Sequence, residues 1–153
     1  MKRERMVVKE STSKDELEAS AARLLLLTGV PANMNGYRYL LTSVMLVCQD
    51  DQLIGAITTR LYPVVAKMHG VTKTRVERSI RNAIDAAWSR GLAEKMNTIF
   101  GGLVLRAMDK PTNGEFIALL ALKIYLDQKE DSAGGEEKRP VKDPEETGLE
   151  ETS

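Results

Sequence analysis

Apolar positions along this chain recur every three to four residues, broken by glycine, proline and capping residues. That pattern predicts helices throughout, because no segment alternates convincingly with period two. Ser13-Lys14-Asp15-Glu16 fits a capping box, and a stripe of Leu17, Ala21, Leu24, Leu25 and Leu27 follows. This helix should run to about Thr28 and stop at Gly29, with Pro31 just beyond. Asn33-Met34-Asn35-Gly36 reads as a turn before a second helix from about Tyr37 to Gln49, striped by Tyr37, Leu40, Leu41, Val44, Met45 and Val47. Asp50 or Asp51 can cap the next helix, Leu53 to Arg60, which Gly55 weakens. Pro63 fits the first turn of a short helix, Tyr62–Met68, where its missing N–H is not needed.

Gly70 then supplies a turn, and Thr72 or Thr74 can cap a longer helix, about Thr74 to Arg90, that ends at Gly91. A short helix from Ala93 to about Phe100 stops at Gly101-Gly102. Lys110-Pro111-Thr112-Asn113-Gly114 is a turn, with Thr112 or Asn113 capping a last helix from about Gly114 to Gln128. Its apolar face is Phe116, Ile117, Leu119, Leu120, Ile124 and Leu126. The expected fold is an all-α bundle of about six helices over residues 13–129, containing a helix-turn-helix at about 62–90. Residues 1–12 read as a flexible lead-in. Residues 130–153 carry too few apolar groups to offset their chain entropy and read as a disordered acidic tail.

Chemistry concentrates in the helix after Gly70. Val76, Ile80, Ala83, Ile84 and Ala87 fall on one side at about 100° per residue, while Arg75, Arg78 and Arg81 spread over the other. One face is suited to a core and the other to an anion. Major-groove bases are read by side chains near the start of such a helix. Arginine pairs with guanine, asparagine with adenine, and glutamate accepts from cytosine N4. Arg75, Glu77, Arg78, Arg81 and Asn82 supply all three kinds within two turns, and Thr72, Lys73 and Thr74 suit phosphate oxygens at the positive end of the helix dipole. The competing reading is a solvated helix with ion pairs, Arg81 and Asp85 being four residues apart. Trp88 reads as a core anchor.

Total charge hides an asymmetry. The 22 basic and 22 acidic residues cancel, yet residues 1–129 hold 19 basic and 13 acidic groups, and residues 130–153 hold three basic and nine acidic. A basic body suits a polyanion such as double-stranded DNA; the tail serves solubility or competes for the basic face. Cys48 is the one cysteine and sits in an apolar run, which reads as core, and His69 is the one histidine, so no Cys/His zinc site is expected. There is no phosphate loop, no HExxH and no activated Cys–His pair, and the reading is of a non-enzyme without metal or cofactor. No apolar run reaches about 18 residues and the basic start lacks a signal-peptide core, which points to the cytoplasm, at the nucleoid, and away from a membrane.

The strings GVPANMNGYRYL, LIGAITTRLYP, TRVERSIRNAIDAAWSRG and KPTNGEFIALLALK closely resemble the C-terminal DNA-binding effector domain of the sporulation master response regulator, the stage zero sporulation protein A family. The resemblance covers about Leu25 to Lys129. It implies a six-helix transcription-regulating domain that binds short G- and A-containing boxes as head-to-tail pairs. It also implies base and phosphate contacts from Arg75, Glu77, Arg78 and Arg81, with Asn82 where the family usually has histidine. The family's segment that contacts the RNA polymerase sigma subunit resembles Leu92–Val104, whose sequence differs noticeably here. Full-length members carry a phospho-accepting receiver domain. Only about 25 residues precede the matched region here, without a βαβ pattern or an acidic pocket, so no aspartyl-phosphate switch is expected within this chain. The capped first helix and the tail outside the matched region favour a stand-alone protein over a fragment of a longer regulator. A second functional reading is an interaction protein that binds no DNA and pairs with a full-length regulator or the polymerase.

Overall fold

A computed structural model describes residues 5–101 and 109–134. They form six α-helices: α1 Lys14–Thr28, α2 Asn35–Gln49, α3 Tyr62–His69, α4 Lys73–Ser89, α5 Leu92–Ile99 and α6 Asn113–Gly134. No strand occurs among the described residues. The ends obey local chemistry. The Ser13 hydroxyl accepts from the Glu16 N–H while the Glu16 carboxylate accepts from the Ser13 N–H, both at 3.0 Å, and Thr112 and Glu115 repeat that box at the start of α6. Gly29 closes α1 at φ 87°, a left-handed conformation that side chains with a Cβ resist.

α2 is the central helix. It packs against α1, α3, α4 and α6, and its Leu40 and Val44 are fully buried. Buried side chains of every other α-helix join it in one core, with Tyr39, Leu61, Phe116 and Met96 among the largest. Cys48 belongs to this core, and burial pushes its thiol up to about 12, leaving it protonated and unreactive at neutral pH.

Several features depart from the expectation. Asn35 and Gly36, read as turn, are the first two residues of α2. The segment read as one helix over Leu53–Arg60 is instead a 3-10 stretch, Asp51–Ala56, followed by a π-helical turn, Ile57–Leu61, in which the Tyr62 N–H reaches back to the Ile57 carbonyl. Gly55 and the β-branched run Ile57-Thr58-Thr59 disfavour regular α-helix, and Pro63 has no N–H to extend the ladder.

The lead-in is pinned over residues 5–12 rather than loose. The Val8 N–H donates to the Cys48 carbonyl at 2.9 Å, Arg5 pairs with Asp51, and Thr12 and the Lys9 backbone both bond Gln128. Lastly, α6 continues to Gly134, five residues into the segment read as disordered; residues 135–153 lie outside the described part. Two side chains placed on apolar faces, Leu27 and Leu126, are exposed, and Trp88 is half-buried at the core margin rather than an interior anchor.

Candidate nucleic-acid interface

α3, the Gly70 turn and α4 form the helix-turn-helix. α3 ends with Gly70 at φ 67°, its N–H reaching the Ala66 and Lys67 carbonyls, and the Val71 N–H also bonds the Ala66 carbonyl. Of the two candidate caps for α4, Thr72 is the one used: its hydroxyl oxygen accepts from the Arg75 N–H at 3.0 Å. Thr74 lies inside the first turn.

Val76, Ile80, Ala83, Ile84 and Ala87 are all buried, so the rotation of α4 about its axis is fixed by five side chains on one face. Gly36 sets its position. A Cβ built there would stand 2.2 Å from the Ser79 carbonyl oxygen and 2.7 Å from the Ala83 Cβ, so the start of α2 lies directly against the α4 backbone. From the other side, the Asn113 amide donates to the Glu77 carbonyl and to the Tyr62 hydroxyl, both at 3.0 Å, joining α6, α4 and α3. Burial raises the Tyr62 hydroxyl above its ordinary 10.0, with the Asn113 bond opposing.

With α4 held on both sides, Thr72, Lys73, Thr74, Arg75, Arg78, Arg81 and Asn82 are exposed and Glu77 is partly so. Seven of these eight sequence-expected positions separate into two groups. Thr72, Thr74, Arg75, Arg78 and Asn82 line one shallow groove, completed by Asn35, Tyr39, Gly70, Val71 and Ser79. Glu77 and Arg81 lie on the opposite flank of the exposed face, in a second depression with Tyr62, Asp85, Lys110 and Asn113. Lys73 lines neither.

Ion pairing follows this division. Arg81 pairs with Glu77 at 2.7 Å, not with Asp85; Asp85 takes Lys110, also at 2.7 Å. Glutamate four residues before arginine is the favourable helical order. The Arg81–Glu77 pair is exposed at 53% and 47% of the two side chains, so it is worth well under about 1 kcal/mol and opens readily to a phosphate. Among the described residues, Arg75 and Arg78 pair with no carboxylate.

Sequence reasoning missed Asn35 and Gly36 as parts of this face, because their composition is that of any turn. It also missed Asn113 as the clamp; its capping propensity was visible, but its partners 36 and 51 residues away were not. Of the segment likened to a sigma-contacting region, Leu92–Ile99 is α5, with Leu92 and Met96 buried, and 102–104 lie outside the described residues. Among the described residues no three His, Cys, Asp or Glu side chains gather as a metal site, and no helix is long and apolar enough to cross a membrane.

A family model described as sporulation initiation factor Spo0A, C terminal, matches residues 21–124, from within α1 to within α6 and across the whole helix-turn-helix.

Proposed function

The chain belongs to the sporulation initiation factor Spo0A C-terminal family of DNA-binding effector domains, and from that premise we propose that it is a sequence-specific transcription regulator whose α4 reads the major groove. One observation carries this reading. Arg75, Arg78 and Asn82 share a single exposed strip of α4, opposite five buried side chains, on a helix clamped by Gly36 and Asn113.

In this reading Arg75 and Arg78 present bidentate donors to guanine O6 and N7, and Asn82 faces adenine or a phosphate one turn further on. Thr72, Lys73 and Thr74 stand at the positive end of the helix, where phosphate oxygens meet N–H and hydroxyl donors. Arg81 engages the adjacent phosphate after leaving Glu77, which frees the Glu77 carboxylate to accept from a cytosine amine. α3 braces the sugar–phosphate backbone. DNA-directed regulation places the protein where the chromosome is, in the cytoplasm, and requires no catalytic group.

Selection of bound duplexes from a random pool, at two salt concentrations, tests this. The expected result is enrichment of one short motif at both salts, with affinity falling as salt rises. Salt-sensitive binding with no enriched motif would reduce α4 to a generic polyanion surface, and no binding at either salt would favour the protein-interaction reading.

A further inference from the structure

Resting on that reading of α4 as the DNA-facing helix, we propose that the acidic segment 143–153 of this same chain docks on the Arg75–Arg78 groove and competes there with DNA. The groove has the charge such a segment needs. Five basic side chains elsewhere are already engaged by carboxylates: Arg5 and Arg60 share Asp50, Arg81 has Glu77, Lys110 has Asp85 and Lys123 has Asp127. Arg75 and Arg78 are exposed and pair with no carboxylate among the described residues, and the exposed Lys73 is nearby at the helix start. Residues 143–153, DPEETGLEETS, carry five carboxylate side chains and no basic one. Two Glu-Glu pairs, Glu145-Glu146 and Glu150-Glu151, offer adjacent carboxylates to guanidiniums that in the DNA complex would hold phosphate or guanine.

Length permits the contact. The start of α6 is fixed beside Glu77 by the Asn113 bond, and 22 helical residues carry the chain about 33 Å along the axis to Gly134. From Gly134, the 11 residues to Glu145 reach at most about 36–40 Å, and the 17 to Glu151 reach at most about 56–61 Å. The Glu150-Glu151 pair therefore has reach to spare toward Arg78. An intramolecular ligand acts at an effective concentration around millimolar, enough for individually weak charge pairs to compete with non-specific duplex. The contact is electrostatic, so salt weakens it along with DNA binding.

The test uses the whole chain and a variant carrying D143N, E145Q, E146Q, E150Q and E151Q. Two readouts are taken: backbone amide shifts of Thr74–Asn82 without DNA, and anisotropy titration of a labelled mixed-sequence duplex of about 20 base pairs. Docking predicts that the Thr74–Asn82 amides move on neutralisation and that duplex affinity rises about tenfold at low salt, a gain that shrinks at high salt. Unmoved α4 amides overturn the proposal, even if affinity rises through net charge alone. Moving amides with no duplex binding by either protein would uphold the internal contact and overturn the DNA reading. Equal duplex binding with unmoved amides would do the reverse.

Discussion

A Cβ on Gly36 would lie 2.2 Å from the Ser79 carbonyl oxygen, a distance that no relaxed contact permits. The obstructing atom is helix backbone, so relief requires the start of α2 and the middle of α4 to separate. Gly36→Ala is therefore expected to cost about 1–3 kcal/mol or more, in spite of alanine's better helix propensity. Chemical denaturation measures the loss, and an unchanged midpoint would show that the two helices do not meet this closely. Because α4 is the displaced element, duplex affinity should fall in the variant even under conditions where it stays folded.

Asn113 supplies the opposite clamp, and its contribution is separable. Its amide spends one N–H on the Tyr62 hydroxyl and one on the Glu77 carbonyl. Asn113→Ala should cost about 1–3 kcal/mol, since it leaves a partly buried carbonyl and hydroxyl with fewer partners. Tyr62→Phe removes only the first bond and should cost about 0.5–1.5 kcal/mol. The double variant should then lose less than the sum of the two singles. Strict additivity in denaturation would mean that Asn113 and Tyr62 do not interact.

The two faces of α4 were legible in the sequence because helical period is a local property: five apolar residues at the right spacing determined which side is buried, and the arginines followed. Non-local choices were not legible. Arg81 has a carboxylate four residues away in each direction, and its pairing with Glu77 depends partly on Lys110, which occupies Asp85 from 25 residues away. The same limit explains the lead-in, whose Val8 is held by a carbonyl on α2. It also explains Gly36, where a turn-forming composition in fact serves close helix packing. Between Asp51 and Leu61 the sequence signalled helix, and the departures to 3-10 and π geometry follow from glycine, β-branching and Pro63 acting together.

His69 sits at the end of α3, one residue before the turn. Its Nε2 lies 2.8 Å from the Thr42 hydroxyl and its ring meets Tyr39 edge-on at 5.0 Å. Burial, and then the charge of Arg38, hold it below its ordinary 6.5. The folded state thus resists protonation, and the unfolded chain takes up a proton first as pH falls. The associated stability is present above about pH 6.5 and is lost as pH falls through the folded value. As the one histidine in the chain, its ring protons report a single titration by NMR, with the midpoint expected below 6.5. Thermal melts across the same window should show a smaller acid-induced drop for His69→Gln than for the parent; identical drops would remove His69 as the cause.

Arg78 and Arg81 are three residues apart on α4 and both are exposed, yet they should behave differently on substitution. Arg78 lines the groove with Arg75 and Asn82 and pairs with no carboxylate among the described residues. Arg78→Ala should leave folding stability within about 0.5 kcal/mol of the parent but weaken binding to the selected box by about 1–3 kcal/mol, with relaxed preference at one base position. Arg81 must first give up Glu77, an exposed pair worth about 0.3–0.5 kcal/mol. Arg81→Ala should therefore weaken binding to all duplexes about equally and lower the salt dependence by about one counterion. Glu77→Gln frees Arg81 without a pairing cost and should tighten non-specific binding while blurring the preference at a cytosine. If instead Arg81→Ala relaxed base preference and Arg78→Ala merely weakened binding uniformly, the flank beside Tyr62 and Asn113 would be the reading edge, and the duplex would lie across α4 on that side.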